Sequence, residues 1–593
     1  MDNLVSKTKF GAQLKKLNKD NSGGSDRQWI YVPYDQVTDR LGPLSRLKPE
    51  QVGIILVESP WKAARRPYHK QKLALILSNL RHFALEQAAR GVAVRHVSVN
   101  GPYHMALKAL AQELGPITMM EAAERELRED VSELVKDGAL KVIPHEGWLT
   151  SLEDLKAIKA KDGTYHMDAF YRRIRQSTGI LMEGPNKPRG GKYSFDSENR
   201  LPWKGQPSPP VVPTFVVDAI TEEVGELIEH HMGHHPGELD LPHLTSTQDD
   251  ADRLWQWAKD NCMDNFGPYE DAMSSQSSGL FHTRISQPLN IMRLIPRDIV
   301  TDVLELDIST ASQEGFIRQV IGWREFIHKM HVLTDGYRAV VDKTAISETP
   351  SDAGYKRWSG NDFNKQQDAP ATKAGTAKSG VVNAKSEAGT AKSETAKDQA
   401  DPDGGAAPNY LDSNEPLPVA YWGTSSGLNC LDTVVKDVWR EAYSHHITRL
   451  MILSNIANLM DVNPREITDW FWVAYADAYD WVVEPNVLSM GLFATGNLMT
   501  TKPYVSGSAY INKMSDYCKG CQFNPAKNCP ITRLYWAFLA RKADKLKDNQ
   551  RLFMPMNSLS KRADKEKQKD QETFKVLSNI LAQGKVARLE DFE

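Results

Sequence analysis

The N-terminal quarter of the chain alternates between short apolar runs and segments with helical spacing. Apolar runs at 29–32, 52–57 and 92–97 predict β-strands, and leucines within 70–90 recur every three to four residues, as on one face of a helix. Strands that alternate with helices of this length are typical of a parallel sheet. We therefore predict an α/β domain over residues 28–145, and it contains no glycine-rich phosphate-binding motif.

Helical patterns dominate the rest of the chain, beyond a connector at 146–240 that is rich in proline and glycine. Apolar periodicity predicts helices over 313–332, 431–459 and 467–481. The predicted helical part comprises residues 241–350 and 409–557. A charged C-terminal extension is predicted at 558–593.

Two segments lack the large apolar residues that a packed core needs. Residues 351–408 consist mainly of Ala, Lys, Ser, Thr, Gly and Asp, and the sequence Ala-Gly-Thr-Ala-Lys-Ser occurs twice, at 374–379 and 388–393. This composition predicts a disordered insertion between helices. Residues 1–27 are polar and rich in lysine, and we expect a flexible arm there.

The composition indicates what class of protein this is, but it does not indicate an activity. A length of 593 residues exceeds what one hydrophobic core usually supports, so several domains are expected. No apolar run is long enough to span a membrane, and no secretion signal is visible. Five cysteines in such a chain are typical of a reducing compartment, and we expect a cytoplasmic protein. A net charge of −3 gives no overall basic footprint, so any contact with nucleic acid must be local.

Three of the five cysteines form a C-x2-C-x7-C motif: Cys518, Cys521 and Cys529. Thiolates at this spacing can bind one metal centre, either an iron–sulfur cluster or zinc. The fourth ligand would be Cys262 or Cys430. Unrelated buried thiols are the remaining interpretation, because free cysteine often behaves as a small apolar residue.

Several motifs together resemble the bacterial iron–sulfur photolyases and cryptochromes, the branch that is similar to (6-4) photolyases. Residues 315–326 end in Trp-Arg-Glu-Phe, and residues 281–290 read Phe-His-Thr-Arg-Ile-Ser-Gln-Pro-Leu-Asn. Motifs similar to that branch alone lie at 171–175, 181–184 and 190–200. The resemblance extends from residue 29 to 557 and omits the 351–408 insertion.

The resemblance implies a fold and completes the set of cysteines. It implies an α/β N-terminal antenna domain with a parallel sheet, followed by a large all-α FAD-binding domain that contains a [4Fe–4S] helical subdomain. In that branch the first cluster ligand lies in a Gly-x-Asn-Cys segment, which is matched here by Cys430. The cluster ligands would then be Cys430, Cys518, Cys521 and Cys529, and Cys262 would be a buried thiol. The family usually has a longer gap before the last ligand.

The pair His445 and His446 is the candidate catalytic group. Helical spacing predicts that Trp439, Tyr443 and His446 share one face of a helix, with His445 rotated by about 100°. Taken alone, the pattern suits a packed core histidine. Within the resembling family the pair lies in the lesion pocket, which implies that His446 donates a proton and His445 orients it.

The resemblance also implies cofactor contacts and electron donors. Trp422 and Trp470 match tryptophans that reduce the photoexcited flavin, although an aromatic core is an equally good interpretation of each. Phe471 occurs where branch members can have tyrosine, and phenylalanine is not readily oxidised. The FAD-binding candidates are Arg284, Asn290, Trp323, Arg324 and Asp477.

For the N-terminal domain the resemblance implies an antenna chromophore of the 6,7-dimethyl-8-ribityllumazine type. A loose match places Glu58, Tyr68, His69 and Lys70 near it. Lys62, Arg65 and Arg66 are interpreted instead as a solvent-exposed charged face.

The function implied by the resemblance is blue-light-driven repair of (6-4) pyrimidine photoproducts, with UV-damaged DNA as partner and a monomeric enzyme. Excited reduced FAD would donate an electron to a flipped-out lesion, because the reacting atoms are unreachable within the base stack. Two alternatives stay open: a cryptochrome-type signalling protein, and a non-enzymatic iron–sulfur nucleic-acid module similar to the primase large subunit.

Overall fold

The computed structural model describes residues 8–21, 27–339, 347–348 and 405–592. Of the predicted insertion at 351–408, residues 351–404 lie outside the described part of the chain. Within the described part, no helix combines the length and the apolar character that a bilayer crossing requires.

Five parallel strands form the sheet of the N-terminal part; the sequence predicted the parallel sheet and its first three strands, and it missed the last two. The strands are β1 Gln28–Tyr31, β2 Val52–Glu58, β3 Ala93–Ser98, β4 Ile117–Met120 and β5 Leu140–Ile143. Their order is β3-β2-β1-β4-β5, with Ile30 paired to Ile54 and Ile54 to Val94. Every residue of β2 is buried, as expected for the inner strand of a covered parallel sheet. The chain order reverses between β1 and β4, and ligands bind at the carboxyl edge of such switch points in open α/β sheets.

A helix lies within residues 8–21, whereas the polar composition of residues 1–27 predicted a flexible arm. Helix α1, Lys9–Leu17, begins at Thr8, whose hydroxyl accepts a hydrogen bond from the amide of Gly11. Phe10 and Leu14, four residues apart on one face, are buried. The burial of this apolar pair against the sheet domain explains why the helix forms.

Helices surround the sheet, and a connector leads from this domain to the helical part of the chain. Helices of the sheet domain are α2 Trp61–Arg65, α3 Lys70–Ala89, α4 Tyr103–Leu114, α5 Arg125–Asp130 and α6 Ser132–Lys136. The connector holds α7 Leu152–Lys156, α8 Met167–Thr178, strands β6 Met182–Gly184 and β7 Lys187–Pro188, and α9 Ala219–Met232. The antiparallel strands β6 and β7 form a small separate hairpin.

The remaining elements are almost entirely helical. Before the undescribed segment these are α10 Gln248–Asn261, α11 Met263–Phe266, α12 Ser286–Asn290, α13 Pro296–Glu305, α14 Thr310–Ile317 and α15 Glu325–Leu333. After it come α16 Asn429–Glu441, α17 His446–Thr448, α18 Asn455–Leu459, α19 Pro464–Ala474, α20 Asp480–Val483, α21 Ser508–Met514, α22 Pro530–Arg541, α23 Ala543–Leu546, α24 Phe553–Ser560 and α25 Asp564–Ala582. Two-residue strands β8 Ser347–Glu348 and β9 Ala406–Ala407 pair across the undescribed segment.

Three π-helical segments interrupt these helices, at Arg318–Arg324, Arg449–Ser454 and Glu484–Gly491. The first joins α14 to α15, so the predicted helix over 313–332 is continuous but locally underwound. Such segments occur frequently at functional sites, and the first two contain Arg324 and Arg449, which belong to the group of candidate flavin residues described below.

The predicted helix over 431–459 is broken where the catalytic candidates lie. Helix α16 ends at Glu441, and Ala442 adopts a left-handed conformation with φ of 50°. Residues 443–445 belong to no helix or strand, His445 is extended, and His446 begins a new short helix. The helical face proposed for Trp439, Tyr443 and His446 is therefore wrong. Likewise, the predicted helix over 467–481 ends at Ala474.

Candidate functional site

The four predicted cluster ligands line one cavity. Cys430 lies in the first turn of α16, Cys518 and Cys521 lie in the loop after α21, and Cys529 caps the N-terminus of α22. Apolar and aromatic side chains complete the walls: Leu428, Ile511, Tyr517, Phe523 and Ile531. Cys262 lies elsewhere, fully buried near the carbonyl of His282.

The cavity disfavours thiolates unless a cation occupies it. Burial raises the pKa of Cys430 well above its usual value, and the neighbouring Cys529, Cys518 and Cys521 raise it further. Burial also raises the pKa of Cys518 and Cys529 to about 11. Four thiols that repel one another once ionised fit a positively charged metal centre, which requires deprotonated ligands.

The sulfur atoms are not arranged as around one zinc ion. Four thiolates around one zinc, with Zn–S near 2.3 Å, would lie roughly 4 Å apart. Among the described residues, no three of the four cysteine sulfurs all lie within 4.8 Å of one another.

Residues 585–592, here called the C-terminal strap, cross the loops that carry the cysteines. The amide of Ala587 donates to the carbonyl of Ser426 at 2.9 Å, and Gln522 Nε2 donates to the carbonyl of Ala587 at 2.9 Å. Phe592 packs edge-to-face on Phe523, which lines the cavity, with ring centroids 5.8 Å apart. Gly427, at φ of 80°, has no room for a side chain, because a Cβ would lie 2.2 Å from the carbonyl oxygen of Ala587.

The catalytic candidates lie in a cluster of three histidines. His445 stacks on His282 with ring centroids 4.5 Å apart, and His446 meets His282 edge-to-face at 5.3 Å. His445 is 2% exposed, whereas the side chain of His446 is 44% exposed. The break at Ala442 produces this difference, because it turns the two neighbouring side chains to different depths.

Burial distinguishes two of the three imidazoles, those of His282 and His445, from the third. It lowers the pKa of His282 and of His445 well below the usual value, so both are neutral at pH 7. His282 Nε2 is 3.2 Å from the carbonyl of Glu270, and in the described structure neither ring nitrogen of His445 has a hydrogen-bond partner. The exposed His446, with Nε2 3.9 Å from a carboxylate oxygen of Asp271, is the member positioned to exchange protons with a ligand. Sequence reasoning gave His282 no role.

Three of the five FAD candidates come together. Arg324 Nε donates to Asn290 Oδ1 at 3.3 Å, and Asn290 Nδ2 donates to the carbonyl of Asp477 at 2.9 Å. The Asp477 carboxylate accepts two hydrogen bonds from Arg449, at 3.0 and 2.9 Å. Arg449 also donates to the carbonyl of Ser444, which joins this group to the histidine loop.

Arg324 has the properties of a residue that binds an anion. Its guanidinium is buried, and its Nη1 and Nη2 find no hydrogen-bond partner in the described part of the chain, the nearest carboxylate oxygen being that of Glu325 at 3.8 Å. Burial lowers its pKa to about 10, which leaves it charged at neutral pH. The guanidinium lies over the rings of Trp148 and Trp481, with Cζ 4.3 and 5.3 Å from their centroids, and its unpaired N–H groups leave it able to bind an anion.

The other two FAD candidates have different partners, although Arg284 and Arg449 both lie over the ring of Tyr443. Arg284 pairs with Glu441 at 2.9 Å and lies over the ring of Tyr443. Trp323 is half-buried and packs edge-to-face on Phe326.

Both predicted electron donors are buried, Trp470 at 0% and Trp422 at 1% exposure. The ring of Trp439 lies between them: it stacks on Trp422 and meets Trp470 edge-to-face. Phe471 stacks on Tyr475 and contacts Trp470.

A buried polar cluster lies at the carboxyl edge of the sheet, at the switch point between β1 and β4. It comprises Tyr34, Asp35, Lys62, Tyr103 and Glu124. Lys62 donates to Glu124 and to Tyr34, both at 2.5 Å. Asp35 is 1% exposed, and neither carboxylate oxygen has a hydrogen-bond partner among the described residues. Burial and the neighbouring Glu124 raise its pKa to about 7.

This cluster corrects the prediction for the basic residues of 62–66. The side chains of Lys62 and Arg66 are 11% and 2% exposed and pair with Glu124 and Glu126, so they are not a solvated face. Arg65 likewise pairs with Glu126.

The residues loosely matched to an antenna make structural contacts instead. Glu58 pairs with Arg81 and His96, His69 contacts the carbonyl of Trp439, and Lys70 pairs with Glu229. Tyr68 is buried, and its carbonyl lies 2.9 Å from His235 Nδ1.

Comparison with known proteins places the chain in a family. Residues 30–243 match the family described as deoxyribodipyrimidine photo-lyase-related protein. A (6-4) photolyase of Agrobacterium fabrum is 30% identical over 551 residues, which cover 89% of this chain and 94% of that protein. An uncharacterized protein of Acanthamoeba polyphaga mimivirus is 38% identical over 104 residues, 18% of this chain and 81% of that protein.

Among solved structures, a bacterial class III photolyase from Agrobacterium tumefaciens aligns with a TM-score of 0.48 and 13% identity, over 94% of this chain and 99% of that one. The match over nearly the whole length of the Agrobacterium fabrum enzyme decides the assignment. The chain belongs to the bacterial photolyase/cryptochrome family.

Proposed function

We propose that this protein is a light-driven DNA repair enzyme that acts on (6-4) pyrimidine photoproducts. The observation that carries the proposal is the histidine cluster: an exposed His446 backed by two neutral, buried imidazoles and joined through Ser444 and Arg449 to the anion-binding group. A proton donor and a cofactor site are thus adjacent. The named activity of the Agrobacterium fabrum relative supports the same conclusion.

The groups present fit FAD. The free N–H groups of Arg324 suit a diphosphate, and Asn290 and Asp477 offer amide and carboxylate groups beside it. A bound flavin would supply the light-driven electron that begins the repair. The protein's own contribution is to hold the cofactor, to exclude water and to position His446.

His446 acts as the general acid in this proposal. Its side chain is 44% exposed, and its Nε2 lies 3.9 Å from a carboxylate oxygen of Asp271, so it is open to a ligand from solvent. His445 and His282 stay neutral and hold the floor of the pocket. A lesion would have to leave the base stack to reach His446, and a damaged base costs less to extrude.

We propose that Cys430, Cys518, Cys521 and Cys529 hold a [4Fe–4S] cluster with a scaffolding role. The cluster would tie α16, which precedes the histidine loop, to α22 and to the strap. The test is metal analysis of anaerobically purified protein, with about four iron and four sulfide per chain expected for four thiolate ligands. Stoichiometric zinc without sulfide would refute this assignment.

We propose further that residues 28–145 are an antenna domain and that a ribityl-lumazine chromophore binds at the Asp35 cluster. The unpartnered carboxylate at the switch point supports this location over the neighbourhood of Glu58. Residues 241–350 and 409–557 would form the FAD-binding part.

One experiment tests the repair function. Reduced protein is incubated with oligonucleotides that carry either a (6-4) photoproduct or a cyclobutane dimer, illuminated with blue light, and the products are separated by chromatography. We expect restoration of the (6-4) substrate alone. A flavin-loaded protein that repairs neither lesion would favour the signalling alternative, and a preparation without flavin would favour the nucleic-acid module.

A further inference from the structure

The buried carboxylate of Glu270 joins the connector to the helical part of the chain. The residue is 5% exposed. Gln319 Nε2 donates to its Oε1 at 2.7 Å, and Asn199 Nδ2 donates to its Oε2 at 3.3 Å. Gln319 belongs to the π-helical segment Arg318–Arg324, and Asn199 belongs to the motif at 190–200. Each oxygen of the carboxylate thus holds one side-chain amide.

Glu270 also lies against the histidine cluster. Its carbonyl oxygen is 3.2 Å from His282 Nε2, and a carboxylate oxygen of the next residue, Asp271, is 3.9 Å from His446 Nε2. Gln319 is half-buried, so its amide is held from the inside and can still be reached from outside. A side chain that is fixed in this way can meet a ligand in one defined orientation.

The contacts of Gln319 decide which end of its amide faces outward. Its Nε2 has two acceptors, the Glu270 carboxylate and the carbonyl of Gly315 at 3.2 Å. A carbonyl and an ionised carboxylate accept and cannot donate, so they face the amide nitrogen, and the amide oxygen is turned away from them. Burial raises the pKa of Glu270 to about 7. A proton on Oε2 would leave Oε1 an acceptor, and it could be donated to Asn199 Oδ1, which has no partner among the described residues.

We propose that Glu270 is a positioning residue of the lesion pocket: it turns the amide oxygen of Gln319 toward the ligand, so that the pocket selects a flipped-out base with an N–H group at that point. The inference rests on the proposed function, because it requires a DNA lesion beside His446. A base that presented a carbonyl there would leave two acceptors facing each other, which costs binding free energy. Gln319 contacts the base, and Glu270 and Asn199 act through it.

Gly315 leaves the space that this arrangement needs. A Cβ at this position would lie 2.6 Å from Asn199 Nδ2 and 3.3 Å from Glu270 Oε2. The residue lies within α14, where alanine favours the helix more than glycine does. Gly315→Ala therefore disturbs the two amide contacts of Glu270 while its effect on the helix itself is favourable.

The test is the preference of the full-length, flavin-loaded protein for a duplex with one (6-4) photoproduct over the undamaged duplex. It is measured in the dark by fluorescence anisotropy at pH 8, where Glu270 is mainly ionised. Glu270→Ala and Gln319→Ala should each lower the preference by about three- to tenfold, the usual contribution of one hydrogen bond. Gly315→Ala should lower it as well. The matched control is Glu223→Ala, which removes a carboxylate paired with Arg81 at 2.9 Å, and it should keep the wild-type preference.

A double variant separates positioning from a general packing role. If Glu270 acts through Gln319, Glu270→Ala should cause no further loss in a Gln319→Ala background. Losses that multiply in the double variant would overturn the proposal, and so would a wild-type preference in Glu270→Ala. A flavin-loaded wild-type protein that does not prefer the damaged duplex would instead overturn the proposed function, and the positioning role with it.

Discussion

Asp35 should cost the folded protein stability at neutral pH, and its replacement by asparagine should reveal that cost. The carboxyl group is buried without a hydrogen-bond partner among the described residues, and its pKa rises from 3.8 to about 7 on folding. Between these values the folded state keeps a proton that the unfolded state releases. Raising the pH through this window therefore favours unfolding, and above about pH 7 the loss is complete.

The magnitude follows from the size of the pKa change. One pH unit within the window is worth about 1.4 kcal/mol, so the group removes about 3 kcal/mol of unfolding free energy between pH 5 and pH 8. Asp35→Asn abolishes this dependence. The amide stays buried at a cost of about 1–3 kcal/mol, but this cost is the same at every pH.

Urea denaturation of both proteins at pH 5, 6, 7 and 8, after removal of any bound chromophore, measures the effect. The stability of Asp35→Asn relative to wild type should rise across the series by about 3 kcal/mol. Asp39→Asn, a partly exposed carboxylate paired with Arg90, is the control for loss of a charge in the same loop. A constant difference between Asp35→Asn and wild type would show that the carboxylate is well solvated, and would remove the argument for a ligand there.

Three further predictions concern the proposed repair site, the cluster and the electron chain. His446→Ala should abolish repair of the (6-4) substrate while the flavin-to-protein absorbance ratio stays at the wild-type value; loss of flavin as well would make the residue structural. Cys521→Ser should lower the iron content and the soluble yield. Cys262→Ser, which alters a buried thiol outside the cavity, should leave the iron content unchanged. A soluble Cys521→Ser protein with full iron would exclude Cys521 as a ligand. Trp470→Phe should slow flavin photoreduction, because phenylalanine is not readily oxidised, and an unchanged rate would mean that this ring does not pass the electron.

The local pattern of apolar residues predicted those helices and strands whose formation depends mainly on their own side chains. The parallel strands are apolar runs, and β2 is buried throughout, so their pattern is visible in the sequence. The break at Ala442 was not predictable in the same way, because neither glycine nor proline marks it and tertiary contacts hold the left-handed conformation. The prediction consequently placed His445 and His446 on one uninterrupted helix.

Burial of charged residues was missed for a related reason. Lys62 and Arg66 are buried because Glu124 and Glu126, about sixty residues away, neutralise them, and local sequence does not show such pairing. Helix α1 is different: Phe10 and Leu14 are spaced at i and i+4 within the lysine-rich segment, and this signal could have been read. The grouping of four cysteines depended on a family resemblance, since spacing alone left the fourth ligand open.

The C-terminal strap has a consequence for the order in which the protein is made. Domains generally fold from the N-terminus while the chain is still being synthesised. All four cysteines leave the ribosome before residues 585–592, which cross the loops at Gly427 and Gln522. The cavity is therefore still uncovered when its last cysteine emerges, and it closes only after the strap has been made. Synthesis of the strap would set the end of the period in which iron and sulfide can enter freely.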